Sequence, residues 1–282
     1  MLWAMPIVGS NGIEIYYEDF GDPTDPTLLM ISGLGAHSVG YNPELCYAFV
    51  DRGLHVIRYD NRDVGFSTHL HDDPGYTLVD MANDGLGLLD AIGVDTFHAW
   101  GCSMGGMIAQ TMAIAAPDRV LTLTSIMSTT GEASVGGADP EILDELLANA
   151  TPPIDADDFV AKAMAGARLF GSVPEIFDEA EHLRRNTEMS VRNFDSLGQN
   201  RQLMAVFASD SRAESLRALS VPTLVIHGTA DKLLNISGGR HTAECIPGAQ
   251  FIELEGMGHD LPSPLWPQIV EATIGLIAAN AG

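Results

Sequence analysis

The run Gly101-Cys102-Ser103-Met104-Gly105-Gly106 constrains this chain more than any other segment. An apolar, strand-like stretch (96–100) precedes it, and a helix-like stretch follows until Pro117 marks its end. A serine on so tight a strand-to-helix turn has strained backbone angles, and its neighbours must be almost free of side chain. Gly101 and Gly105 supply that room, and Gly106 lets the helix lie close to the sheet. The turn lifts the Ser103 hydroxyl to the positive end of a helix, where developing negative charge is favoured. G-x-S-x-G in this setting predicts a nucleophilic Ser103, with the Met104 N–H as an oxyanion donor.

The remaining pattern supplies a fold around that turn. Strand-like runs at 27–33, 55–60, 120–126, 222–228 and 250–254 alternate with helix-like runs at 43–52, 78–92, 104–116 and 264–279. A hairpin over about 12–20 opens the chain. This alternation predicts an α/β fold, a mostly parallel central sheet with helices on both faces. From 131 to about 218 the pattern holds helical stretches (139–148, 157–169, 174–185) and no strand. The expected organisation is one α/β core, 1–130 and 219–282, interrupted by a helical insertion at 131–218. A length of 282 residues suits a single domain of that kind.

Charge narrows the partners. There are 38 acidic against 14 basic residues, a formal net charge of -24. Such a surface repels phosphate backbones and anionic lipid, so neither nucleic acid nor a membrane surface is an expected partner. No stretch approaches the roughly 18 apolar residues of a membrane span. Residues 1–8 are apolar but too short for a signal peptide, and a cytoplasmic protein is expected. Cys46, Cys102 and Cys245 are odd in number and lack CxxC or metal spacing, which reads as buried, reduced thiols and no metal.

Nine histidines compete for the role of base. His55, His98 and His227 lie in or beside apolar strands and read as core residues, while His182 and His241 read as solvated helix positions. His69 and His71 fall in a polar loop, and His37 follows the first strand-to-helix turn, where it could line a pocket. His259 sits on a glycine-flanked loop after the last strand, at the carboxyl edge of the sheet where ligands gather. The acid that orients it should also lie at a strand's carboxyl end. Asp231 does so; Glu132 opens the insertion, and Asp260 adjoins the histidine but would point away from the ring's bonding edge. The second oxyanion donor should follow the strand ending at Ser32, which selects the Leu34 N–H in Ser32-Gly33-Leu34-Gly35.

Together these residues resemble the α/β-hydrolase superfamily over the whole core. The segments at 56–67, 222–228 and 256–262 resemble its esterase branch. The first and third are similar to the group that includes the anthracycline methylesterases. The resemblance implies a cap over the site at the helical insertion, and no cofactor. It also implies structural roles for Asp60 and Arg62. Many relatives carry His-Gly where this chain has Ser32-Gly33, so a bond that steadies the oxyanion loop must be replaced.

The expected activity is serine-dependent hydrolysis of uncharged, hydrophobic carboxylic esters; of Phe159, Met164, Leu169, Phe170, Phe177, Met189, Met204 and Phe207, most are expected to pack helix against helix and some to form an apolar pocket roof. Carbon–carbon bond hydrolysis, lactone hydrolysis and cofactor-free perhydrolysis use the same triad and remain open, as does a non-catalytic receptor. Leu265, Trp266 and Ile269 on the last helix either pair with another subunit or pack on the sheet, so oligomeric state stays open.

Overall fold

The computed structural model describes residues 6–71, 75–148 and 151–281, which leaves residues 1–5 of the apolar start outside the described region. An eight-stranded sheet runs through the molecule. Its strands are β1 (Ile7–Ser10), β2 (Ile13–Phe20), β3 (Thr27–Ile31), β4 (His55–Tyr59), β5 (Phe97–Cys102), β6 (Val120–Ile126), β7 (Thr223–Gly228) and β8 (Gln250–Leu254), in the spatial order β1-β2-β4-β3-β5-β6-β7-β8. β3 to β8 are parallel; β2 is antiparallel to both β1 and β4. Asn11 and Gly12, both at positive φ (47° and 81°), close the opening hairpin, a two-residue turn whose twist matches its strands.

The helices are α1 (Pro43–Val50), α2 (Leu78–Ile92), α3 (Met104–Ala115), α4 (Pro140–Ala148), α5 (Ala156–Phe170), α6 (Glu179–Ser190), α7 (Gly198–Phe207), α8 (Ala213–Arg217), α9 (Ser237–Cys245) and α10 (Trp266–Ala279). Two cores flank the sheet, and the period-two alternation of the strands feeds both. Leu29, Ile31, Phe97 and Ala99 join the core that α2 and α3 complete. Leu28, Met30, Trp100 and Cys102 join the one closed by α1 and α10. Tyr41 and Phe49 meet the fully buried Trp100 edge-on at 5.3 and 6.0 Å. α3 is buried around nearly its whole circumference, the signature of a helix at the centre of a sheet.

Capping residues explain the helix limits. Thr77 and Asp80 form a reciprocal capping box at the start of α2, and Gly93 ends it at φ 76°. α6 begins at Glu179, five residues later than the periodicity predicts, because Asp178 caps it by accepting the Glu181 N–H while Phe177 folds back onto the Val173 carbonyl. α4 to α8 occupy the stretch between β6 and β7, and no strand occurs there among the described residues. The sequence pattern gives no bounds for α7, α8 or α9, and α8 is too short to show a period. Ile269 is buried on the sheet, and Leu265 and Trp266 are half-buried beside it. No helix among the described residues is long and apolar enough to cross a membrane.

Candidate active site

The carboxyl edge of the sheet gathers the loops after β3, β5, β7 and β8. At the end of β5, Ser103 stands at φ 56° and ψ -123°, a conformation few non-glycine residues adopt. Gly101 and Gly105 make that turn sterically possible. A Cβ on Gly101 would stand 2.1 Å from the Gly105 carbonyl oxygen, and one on Gly105 would stand 1.9 Å from that of Ile31. The Ser103 N–H donates to the Ile126 carbonyl, and Ser128 Oγ donates to the Ser103 carbonyl at 2.8 Å, so the turn is tied to β6 and the loop after it.

Ser103 Oγ lies 2.9 Å from His259 Nε2, and His259 Nδ1 lies 2.8 Å from Asp231 Oδ2. An ionised carboxylate can only accept, so Nδ1 carries the hydrogen and Nε2 presents its lone pair to the serine hydroxyl. Asp231 is fully enclosed, and burial works against its charge. The charge of His259 and hydrogen bonds from His227 and His259 outweigh that cost and hold its carboxyl well below the usual range. The backbone N–H groups of Leu233 and Leu234 both donate to its Oδ1. The structure therefore brings together the three residues that the sequence singled out, from loops up to 156 positions apart.

Leu34 and Met104 occupy the positions expected of oxyanion donors. Neither N–H has an acceptor among the described residues, and a Cβ on Gly33 would sit 3.2 Å from Ser103 Cβ, so the two turns are in contact. A side chain from the insertion steadies the turn after β3. Gly35 N–H donates to Gln202 Oε1 at 2.8 Å, and Gln202 Nε2 donates to the Arg62 carbonyl at 2.7 Å. Gln202 is completely buried on α7, and sequence reasoning did not identify it.

A second missed group holds the histidine loop. His259 N–H donates to the Phe170 carbonyl, Gly258 N–H to Ser172 Oγ, and Ser172 N–H to Asp260 Oδ1 at 3.1 Å. Asp260 Oδ2 meets His182 Nε2 at 3.0 Å. Asp260 thus bonds Ser172 and His182 and not the His259 ring, and His182 is buried, not solvated, because this carboxylate holds it. The pair Gly171 and Gly258 was the available signal: a Cβ on Gly258 would stand 2.1 Å from the Gly171 carbonyl carbon.

The other histidines divide as follows. His55, His98 and His227 are buried, as expected of core residues. His37 is buried as well, and burial lowers its pKa to about 4 against the pull of Asp60. His69 bonds Asp195 at 2.9 Å and the Gly65 carbonyl at 3.0 Å. Asp63, His69 and Asp195 bring metal-ligand atoms within 4.8 Å of one another. Arg201 binds both carboxylates, which makes the cluster an ion-pair knot joining the loop after β4 to the α6–α7 connection. A cleft of ≈ 480 Å³ beside that knot, lined by Phe66, His71 and Phe194 among others, includes none of Ser103, Asp231 and His259.

Asp60 and Arg62 are structural. Asp60 accepts from Ser38 N–H and Phe66 N–H and pairs with Arg192, and Arg62 forms a buried ion pair with Asp84 at 2.6 Å. The three cysteines are free and buried. Of the proposed apolar roof, Met164 and Met189 are buried, whereas Met204 and Phe207 are exposed (62% and 72%). α7 turns Gln202 and Ala205 inward, which leaves those two outside.

A family model described as the alpha/beta hydrolase fold matches residues 26–262. Rhodomycin D methylesterase DnrP of Streptomyces peucetius is 30% identical over 91% of this chain and 92% of its own length. Rhodomycin D methylesterase DauP of Streptomyces sp. (strain C5) is 29% identical over the same shares. Among solved structures, the enol-lactonase from Burkholderia xenovorans LB400 superposes with a TM-score of 0.79. It covers 97% of this chain and 100% of that one at 24% identity, which speaks to the fold alone.

Proposed function

We propose that this chain, which belongs to the α/β-hydrolase fold family, hydrolyses carboxylic esters through a covalent acyl-enzyme on Ser103. The observation that carries the reading is the line of contacts Ser103 Oγ, His259 and Asp231 at 2.9 and 2.8 Å. The methylesterases among its relatives direct the choice of ester over other acyl bonds.

In this mechanism His259 Nε2 takes the hydroxyl proton as Ser103 Oγ attacks the carbonyl carbon, and Asp231 stabilises the imidazolium that forms. The oxyanion receives hydrogen bonds from the Leu34 and Met104 N–H groups, each commonly worth about 3 kcal/mol to the transition state. The imidazolium then protonates the departing alkoxide and the alcohol leaves. Water, deprotonated by His259, attacks the acyl carbon and releases the acid. We assign residues 131–218 to a cap that contributes Gln202, Ser172 and His182 to the support of this site, and residues 1–130 and 219–282 to the catalytic core. The reading assigns no step to a cofactor or metal.

Hydrolysis of p-nitrophenyl acetate and butyrate tests this. The wild type should hydrolyse at least one and label with a fluorophosphonate, while Ser103→Ala should do neither. Two inert esters, or a Ser103→Ala protein as active as wild type, would overturn it.

A further inference from the structure

The strand context of His227 makes it a core residue, and the structure buries it completely, at 0% exposure. Its Nδ1 is sealed from solvent with no partner among the described residues. A buried polar atom left unpaired costs free energy that an apolar ring of the same size would avoid, so packing alone does not account for a histidine here. The other ring nitrogen does. Nε2 lies 2.7 Å from the Leu234 carbonyl oxygen. A carbonyl can only accept, so Nε2 carries a hydrogen.

That bond closes a short circuit around Asp231. The Leu234 N–H donates to Asp231 Oδ1 at 2.9 Å, and the Leu233 N–H donates to the same oxygen at 3.0 Å. Residues 231–234 thus form a turn folded onto the acid's own carboxylate, and His227 clasps its far end through the Leu234 carbonyl. The same Nε2 stands 3.3 Å from Asp231 Oδ2, the oxygen that meets His259 Nδ1 at 2.8 Å. Among the described residues, His259 and His227 are the two side chains that meet this carboxylate. The imidazole of His227 has no room to swing away. A Cβ on Gly239 of α9 would stand 2.5 Å from its Nδ1 and 2.9 Å from its Cβ and Cγ.

We propose that His227 is a positioning residue for the reaction: it fixes the turn at 231–234 so that Asp231 Oδ2 faces His259 Nδ1. The positive end of its Nε2–H bond lies beside that oxygen, which favours the ionised carboxylate that His259 needs. His227 itself gives up no proton and touches no substrate. The proposal rests on the ester-hydrolase reading and adds to it a residue that acts through Asp231.

His227→Phe keeps a ring of similar size and removes the donor; His227→Leu serves the same purpose if the phenylalanine variant does not fold. On one chromogenic ester, either should lower kcat by about 10- to 100-fold, the worth of a hydrogen bond around a charged group, with a smaller change in KM. His227→Gln, which keeps an N–H for the Leu234 carbonyl, should recover part of kcat. In an Asp231→Ala background the His227 substitution should cost less than about threefold, because the group it acts through is gone. An equal loss in both backgrounds marks a merely structural residue and overturns the proposal, as does an unchanged kcat or a fall confined to KM. Crystal structures separate this from failure of the ester reading. In the His227→Phe or His227→Leu protein the Asp231 carboxylate should have turned away from His259; a contact that stays as in wild type overturns the positioning role whether or not any ester is cleaved.

Discussion

Gln202 Oε1 accepts the Gly35 N–H at 2.8 Å, which joins a helix between β6 and β7 directly to the turn that carries Leu34. The same side chain donates to the Arg62 carbonyl, so both ends of its amide are used in a site with no solvent exposure. Removing it strands one buried donor and one acceptor, each costing about 1–3 kcal/mol. Gln202→Leu should lower kcat by about 10- to 100-fold, as expected for a displaced oxyanion donor, with a smaller change in KM. Gln202→Glu, which keeps the acceptor for Gly35, should recover part of kcat. Steady-state kinetics on one chromogenic ester would check both, and a fall confined to KM would count against this positioning role.

The partners of Asp231 give a second expectation. With Asn at 231, the amide can donate to His259 Nδ1 and stabilise the tautomer whose Nε2 cannot accept the serine proton. Asp231→Asn should therefore reduce kcat by about four orders of magnitude while leaving the fold intact. Circular dichroism alongside ester kinetics would measure it.

Gly258 is a steric requirement of the histidine loop. A Cβ there meets the Gly171 carbonyl carbon at 2.1 Å and its oxygen at 2.2 Å, with no flexible side chain to yield. Gly258→Ala should displace His259 from the Phe170 carbonyl and cost activity and melting temperature together. By contrast, Gly137→Ala, with open space around it, should change neither by much. Thermal melts of the two variants make the comparison.

Acid should weaken the fold through two buried histidines. Burial lowers the pKa of both His37 and His98 from 6.5 to about 4. Between those values the unfolded chain binds the proton and the folded chain does not, so stability rises with pH. Their contribution is complete above pH 6.5 and is lost as the pH falls toward 4, on the order of 2 kcal/mol for each residue. Urea midpoints measured across that window should fall steadily on acidification, and His98→Gln should flatten part of the slope. A constant midpoint would refute the assignment.

Much of the candidate site was legible in the chain because its determinants are local. A serine between glycines, after one strand and before one helix, specifies its own strained turn at φ 56°. A parallel sheet then places the ends of β7 and β8 on the same edge, so Asp231 and His259 could be chosen by their distance along the chain from a strand end. The insertion was legible only as helical. Periodicity there identifies an apolar face without saying what it meets, and so it does not separate the exposed Met204 and Phe207 from the buried Met164 and Met189, and it places the buried His182 in solvent.

By itself, then, the amino-acid sequence determined the fold class, the tight turn at Ser103 and the order of the residues around it, since each follows from short-range sterics and strand alternation. Only the tertiary structure decided that Gln202 would hold the turn after β3 and that Asp260 would bind His182. Those relationships cross from the insertion to the core, over 167 positions for Gln202 and Gly35 and 78 for His182 and Asp260. They depend on how helices dock on a sheet edge, which is a property of packing between distant surfaces and leaves no local pattern.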